Sequence, residues 1–127
     1  MKYKVLIIDD SKLARMAVAK LLSKLHPDWP RIEAANGDEA NTALEAEHPD
    51  FVLLDFNMPG RNGLELAADF RKLRPSMPVA LITANIQQEI VERAKAIGAE
   101  FLPKPLTEAA LQNYLARATG LLESADA

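Results

Sequence analysis

The stretch Val5-Leu6-Ile7-Ile8-Asp9-Asp10-Ser11 runs four apolar residues straight into two adjacent carboxylates. Burial favours the first group and penalises the second, so the junction sets two mutually repelling acids at the edge of a core. Other polar residues stand in the same relation to apolar runs. Asp55 closes Phe51-Val52-Leu53-Leu54, Thr83 closes Val79-Ala80-Leu81-Ile82, and Lys104-Pro105 follows Phe101-Leu102-Pro103. If the ends of these runs are neighbours, the carboxylates of Asp9, Asp10 and Asp55 converge on one small volume. Such crowding is tolerable only when a cation joins the acids or some of them are protonated. A hard divalent cation is the simpler solution, and Mg²⁺, which keeps several waters, needs only a few carboxylates and a backbone carbonyl. Lys104 adds a positive charge and Thr83 a hydroxyl donor, and with the metal they would bind a doubly charged phosphoryl group. A carboxylate beside such a site can itself be the nucleophile, forming an acyl phosphate.

Taken singly, each of these residues has an ordinary structural role. Asp10 or Ser11 can cap the helix that follows, Asp55 can serve a turn, Thr83 suits a strand, and Lys104-Pro105 suits a loop. Their joint placement at the ends of apolar runs is what points to chemistry.

The elements that must position them follow from run length. Short apolar runs at 3–8, 31–35, 51–55, 78–83 and 100–103 predict strands, and the first, third and fourth are apolar enough to be covered on both faces. Between them, apolar residues recur at helical spacing: Ala14, Ala17, Val18, Leu21, Leu22 and Leu25, then Ala40, Ala43 and Leu44, then Leu64, Ala67, Ala68, Phe70 and Leu73. A fourth stripe joins Ile86, Ile90, Ala94 and Ile97, and a fifth Leu106, Ala110, Leu111, Tyr114, Leu115 and Ala118. Five strand–helix units predict an α/β fold, a (βα)5 three-layer sandwich whose parallel sheet has helices on both faces. In such a sheet the ligand crevice lies beyond the carboxyl ends of the strands, where the acids, Thr83 and Lys104 fall.

Composition removes other classes. The 127 residues include no cysteine, which excludes thiol redox chemistry and thiolate metal sites and is compatible with a reducing cytoplasm. A net charge of -3 with scattered Lys and Arg offers no basic stripe, so direct nucleic-acid binding is disfavoured. No stretch has the length of a membrane span or a signal peptide, and the expectation is a cytoplasmic protein without membrane contact. Residues 1–120 are read as one domain and 121–127 as a short C-terminal tail.

The acidic pair in IIDDS, the aspartate in LLDFNMPGRNGLEL, the threonine in LITAN, and the lysine and proline in FLPKPL come in one order on these elements. In this the chain resembles the receiver domain of bacterial two-component response regulators, with a likeness to the single-domain chemotaxis type. The resemblance implies a flavodoxin-like strand order of 2-1-3-4-5. It implies that Asp55 accepts a phosphoryl group from a phosphohistidine on a sensor histidine kinase or histidine phosphotransfer protein. Mg²⁺ would be held by Asp10 directly, by Asp9 mainly through water, by Asp55, and by the backbone carbonyl of Asn57. Lys104 would pair with the phosphoryl group, its bond to Pro105 being cis, and Thr83 and Phe101 would act as the switch. Ala84 would leave the phosphoryl approach open, while Asn57 and Asn85 fall where the family tunes acyl-phosphate lifetime. The output would be a downstream protein that reads the face formed by the fourth helix, fifth strand and fifth helix.

The chain departs from the family pattern at Arg61, where an apolar residue is common, and at Gly98-Ala99-Glu100-Phe101, which is one residue tighter than the usual spacing. Pro103 lacks a ladder donor, which suits an edge strand. His26 and His48 read as surface residues at helix ends, and Trp29 as a local packing anchor. Three rival readings stand beside this one: an adaptor of the same fold that works without phosphorylation, an aspartyl-nucleophile phosphatase, and a flavodoxin-like FMN protein, whose phosphate the two acids would repel. The second usually has an acid two residues beyond its nucleophile, where Ser11 follows Asp9 here.

Overall fold

Successive side chains on a strand point to opposite faces, so a strand without polar residues needs cover on both sides. The computed structural model, which describes residues 2–58, 62–84 and 87–126, provides that cover. Arg61, Asn85 and Ile86, singled out above, lie outside the described residues. The elements run β1 (Val5–Ile8), α1 (Lys12–Leu25), β2 (Arg31–Ala34), α2 (Gly37–Glu47), β3 (Phe51–Asp55), α3 (Gly63–Leu73), β4 (Val79–Thr83), α4 (Gln88–Ala96), β5 (Glu100–Pro103) and α5 (Glu108–Asp126). The five strands form one parallel sheet in the order β2-β1-β3-β4-β5. Every residue of β1, β3 and β4 is buried, and those strands occupy the centre, while β2 and β5 are edges with exposed positions.

The alternation divides the core in two. Leu6, Ile8, Val52, Leu54, Val79 and Leu81 pack with Leu44 of α2, Leu64, Leu66, Ala67 and Phe70 of α3 and Ala94 of α4. On the other face Val5, Ile7, Phe51, Leu53, Ala80, Ile82 and Leu102 meet Val18 and Leu22 of α1 and Leu111, Tyr114, Leu115 and Ala118 of α5. Trp29 anchors the second layer at the base of the sheet. It is buried, meets Tyr3 and Phe51 edge-on at centroid distances of 5.3 and 5.8 Å, and stacks on His26 at 3.6 Å. The Tyr114 hydroxyl, pushed well above its ordinary pKa by burial, donates to the Val52 carbonyl at 3.2 Å.

Two helical positions differ from the periodic reading. Ala17 is exposed, and Leu73 keeps 66% of its surface because α3 ends there. Arg74 instead crosses to α2, donating to the Leu44 carbonyl at 2.9 Å. Helix α5 runs on through Gly120 to Asp126, with Leu122 packed against the α1–α5 layer.

Four of the helices, α1, α2, α3 and α5, start at a side-chain cap in the loop after the preceding strand. Ser11 Oγ accepts the Ala14 N–H at 3.2 Å, Asn36 Oδ1 the Glu39 N–H at 2.8 Å, Asn62 Oδ1 the Glu65 N–H at 2.9 Å, and Thr107 Oγ1 the Ala110 N–H at 3.1 Å. Glycine is required where α3 begins. A Cβ on Gly63 would collide with the Asp55 carbonyl oxygen and lie 2.7 Å from Phe56 Cα and 2.9 Å from Leu81 Cδ1. Two of those atoms are backbone and cannot yield. Overpacking of this kind predicts that Gly63→Ala loses roughly 2–3 kcal/mol in urea denaturation; a loss within experimental error would show that the loop after Asp55 has room to shift.

Candidate functional site

Sheet register builds the site. Ile8 lies opposite Leu54, so the next residues on the two strands, Asp9 and Asp55, emerge side by side. Ile82 lies opposite Asp55 and Thr83 opposite Pro103, which places Thr83 and Lys104 one step along each neighbouring strand. Carboxylate oxygens of Asp9, Asp10 and Asp55 all lie within 4.8 Å of one another. Asp9 and Asp55 are buried and Asp10 is exposed, so the group opens to solvent on one side.

Lys104 Nζ sits 2.6 Å from Asp55 Oδ1 and 4.0 Å from Asp9 Oδ2. The shorter contact is an ion pair, and apart from it Asp55 Oδ1 is buried without a hydrogen-bond donor. One ammonium therefore reaches two of the three acids. Asp9 Oδ1 accepts the Ser11 N–H at 2.9 Å, yet its pKa is raised above the ordinary 3.8, first by burial and further by the charges of Asp55 and Asp10. The charge deficit and the all-oxygen donor set fit a hard divalent cation.

Thr83 is fully buried at the end of β4, and its carbonyl accepts the Lys104 N–H at 3.0 Å. That bond carries the ladder one residue past Pro103, which is exposed at the end of the edge strand. The Lys104–Pro105 peptide is cis. Phe101 is half-buried on β5 opposite Leu81, two pairs short of the site end of the strand. Asn57 is exposed two residues past Asp55, and Ala84 is exposed one past Thr83. His26 and His48 cap α1 and α2 away from the acids, and Gly98 closes α4 with φ +79°.

Two residues enter the site's framework that motif reading passes over. Gly63 leaves room against the Asp55 backbone, and Arg15 Nη1 donates to the Asp9 carbonyl oxygen at 2.6 Å. The available signal was positional only: Arg15 stands in the first turn of α1, five residues beyond Asp10.

Fold and site together define a doubly wound α/β domain with an acidic crevice at the carboxyl end of its sheet. The family model described as the response regulator receiver domain matches residues 5–116. The chain is 32% identical over 118 residues to protein CcdB of Bacillus subtilis, covering 92% of this chain and 98% of that protein. It is 38% identical over 119 residues to the positive alginate biosynthesis regulatory protein of Pseudomonas aeruginosa, covering 91% of this chain and 46% of that longer protein. The chemotaxis protein CheY4 of Vibrio cholerae superposes with a TM-score of 0.83 at 29% identity, covering 93% of this chain and 99% of that one. The chain belongs to the response regulator receiver family. It is a phospho-accepting signalling receiver, and no helix among the described residues is long and apolar enough to cross a membrane.

The raised Asp9 pKa gives a signed stability effect. The native state favours the protonated acid, so ionisation costs stability as pH rises through and above 3.8. Without divalent cations, Asp9→Asn should raise Tm at pH 7 by about 2–6 °C. The gain should shrink as pH falls toward 3.8, where the wild-type acid becomes neutral. Thermal melts in a chelator across that range check this, and a Tm that falls at pH 7 contradicts it.

Proposed function

We propose that Asp55 is the phospho-acceptor, with Asp9, Asp10, Asp55 and the Asn57 carbonyl holding Mg²⁺ beside it. The observation that carries this reading is the convergence of three carboxylates within 4.8 Å around a buried aspartate whose near cation is Lys104 at 2.6 Å. When bound, Mg²⁺ would neutralise the excess charge and polarise the incoming phosphoryl oxygens. An Asp55 carboxylate oxygen attacks the phosphorus of a phosphohistidine, the P–O bond forms as the P–N bond breaks, and the donor imidazole leaves with that electron pair. Lys104, a point charge on a flexible stem, follows the charge from the carboxylate to the new phosphoryl oxygens. The Thr83 hydroxyl donates to one of those oxygens.

The donor is a sensor histidine kinase or a histidine phosphotransfer protein. Leu13 and Met16, 79% and 52% exposed on the first turns of α1, offer it apolar purchase beside Ser11. Thr83 and Phe101 couple the acyl phosphate to the α4–β5–α5 face, where a downstream protein reads a shifted equilibrium between two forms. The domain is a switch rather than an enzyme for a separate substrate, and its role in chemistry is to assist its own phosphorylation and dephosphorylation. The absence of cysteine from the sequence suits a cytoplasmic setting.

Incubation with acetyl phosphate and Mg²⁺, followed by intact-mass spectrometry, should add one phosphoryl group to the wild type. Neither Asp55→Asn nor the wild type in EDTA should gain it. Equal uptake by Asp55→Asn would remove Asp55 from the acceptor role, and no uptake by the wild type would favour a phosphorylation-independent adaptor.

A further inference from the structure

Asp9 is tied on every side. Its N–H donates to the Ala34 carbonyl at 3.1 Å, its Oδ1 accepts the Ser11 N–H at 2.9 Å, and its carbonyl oxygen accepts Arg15 Nη1 at 2.6 Å. Asp10 is exposed, and its placement depends on the peptide that joins it to Asp9. Arg15 grips the oxygen of that peptide. The guanidinium is held in turn by Glu33 of β2, which accepts Nε at 2.9 Å, and the Arg15 side chain keeps only 14% of its surface exposed.

We infer that Arg15 is a positioning residue for the cation site: it fixes the Asp9–Asp10 peptide plane and so sets where the Asp10 carboxylate stands. The inference rests on the Mg²⁺ reading proposed above. Mg²⁺ demands near-ideal octahedral geometry, so a ligand that swings with its peptide binds it poorly. Arginine suits the task because its planar fork donates along two directions at once, here to a carbonyl and to a carboxylate. Glu33 also balances the guanidinium charge, which would otherwise oppose a cation a few residues away. The clamp thereby joins three elements, the edge strand β2, the start of α1 and the end of β1, at one peptide.

Isothermal titration of the full chain with Mg²⁺ tests this in wild type, Arg15→Met, Arg15→Lys and Glu33→Gln. Loss of a residue that orients a metal ligand typically weakens affinity by about tenfold or more, and that is expected for Arg15→Met. Arg15→Lys, which keeps the charge but not the fork, should recover only part of the loss. Glu33→Gln, which leaves Arg15 in place without its charged anchor, should weaken binding less than Arg15→Met. In cation-free protein, the Asp10 and Ser11 amide resonances should move in Arg15→Met, as they would not if the arginine acted only as a distant charge. Mg²⁺ affinity in Arg15→Met equal to or tighter than wild type overturns the inference and leaves the metal reading standing. No Mg²⁺ binding by the wild type overturns both. Should Arg15→Met fail to fold, unchanged affinity in both Arg15→Lys and Glu33→Gln overturns it.

Discussion

Asp9 and Asp55 are brought together by parallel pairing that continues one residue past Ile8 and Leu54. The chain cannot relax this repulsion locally. A one-residue slip of β1 against β3 would turn Val5 and Ile7 out of one layer and Leu6 and Ile8 out of the other. Burying a large aliphatic side chain stabilises by roughly 1.5–3 kcal/mol, and several such residues lock the register. The apolar run in VLII therefore holds in place the carboxylates that follow it. Lys104 relieves part of the repulsion; in the function proposed above, what remains makes the crevice a place for a divalent cation and then for a phosphoryl group.

The same register explains why the site can signal. Thr83 ends β4 and Lys104 follows β5, the two joined by the Lys104 N–H to Thr83 carbonyl bond. Strand β5 is an edge, with Phe101 half-buried and Pro103 exposed, so this side of the sheet has room to change where β1 and β3 do not. In the function proposed above, a rigid half of the site holds the charge and a looser half reports it. Two forms of comparable energy are enough for a phosphoryl group to shift their balance.

Much of this was legible in the residues. Strand bounds followed from short apolar runs, and the central position of β1, β3 and β4 followed from their lack of polar residues, because only a strand covered on both faces reads that way. The acidic convergence followed from asking what stands at each strand's carboxyl end. Leu73 and Ala17 were misread because apolar spacing does not reveal where a helix stops or which flank faces solvent. Gly63 and Arg15 were silent for a different reason. Their importance lies in contacts with the backbone of Asp55, Phe56 and Asp9, and a sequence names side chains, not the distances between backbones.

The central claim is that carboxylate crowding fixed by the sheet makes a specific divalent-cation site. The direct measurement is Tm of the wild-type chain as a function of Mg²⁺ concentration, against NaCl at matched ionic strength. Ligand linkage predicts that each tenfold rise in Mg²⁺ above its Kd adds roughly 1.4 kcal/mol of stability, seen as a Tm climbing with log concentration. Coincident curves in MgCl2 and NaCl would contradict the account.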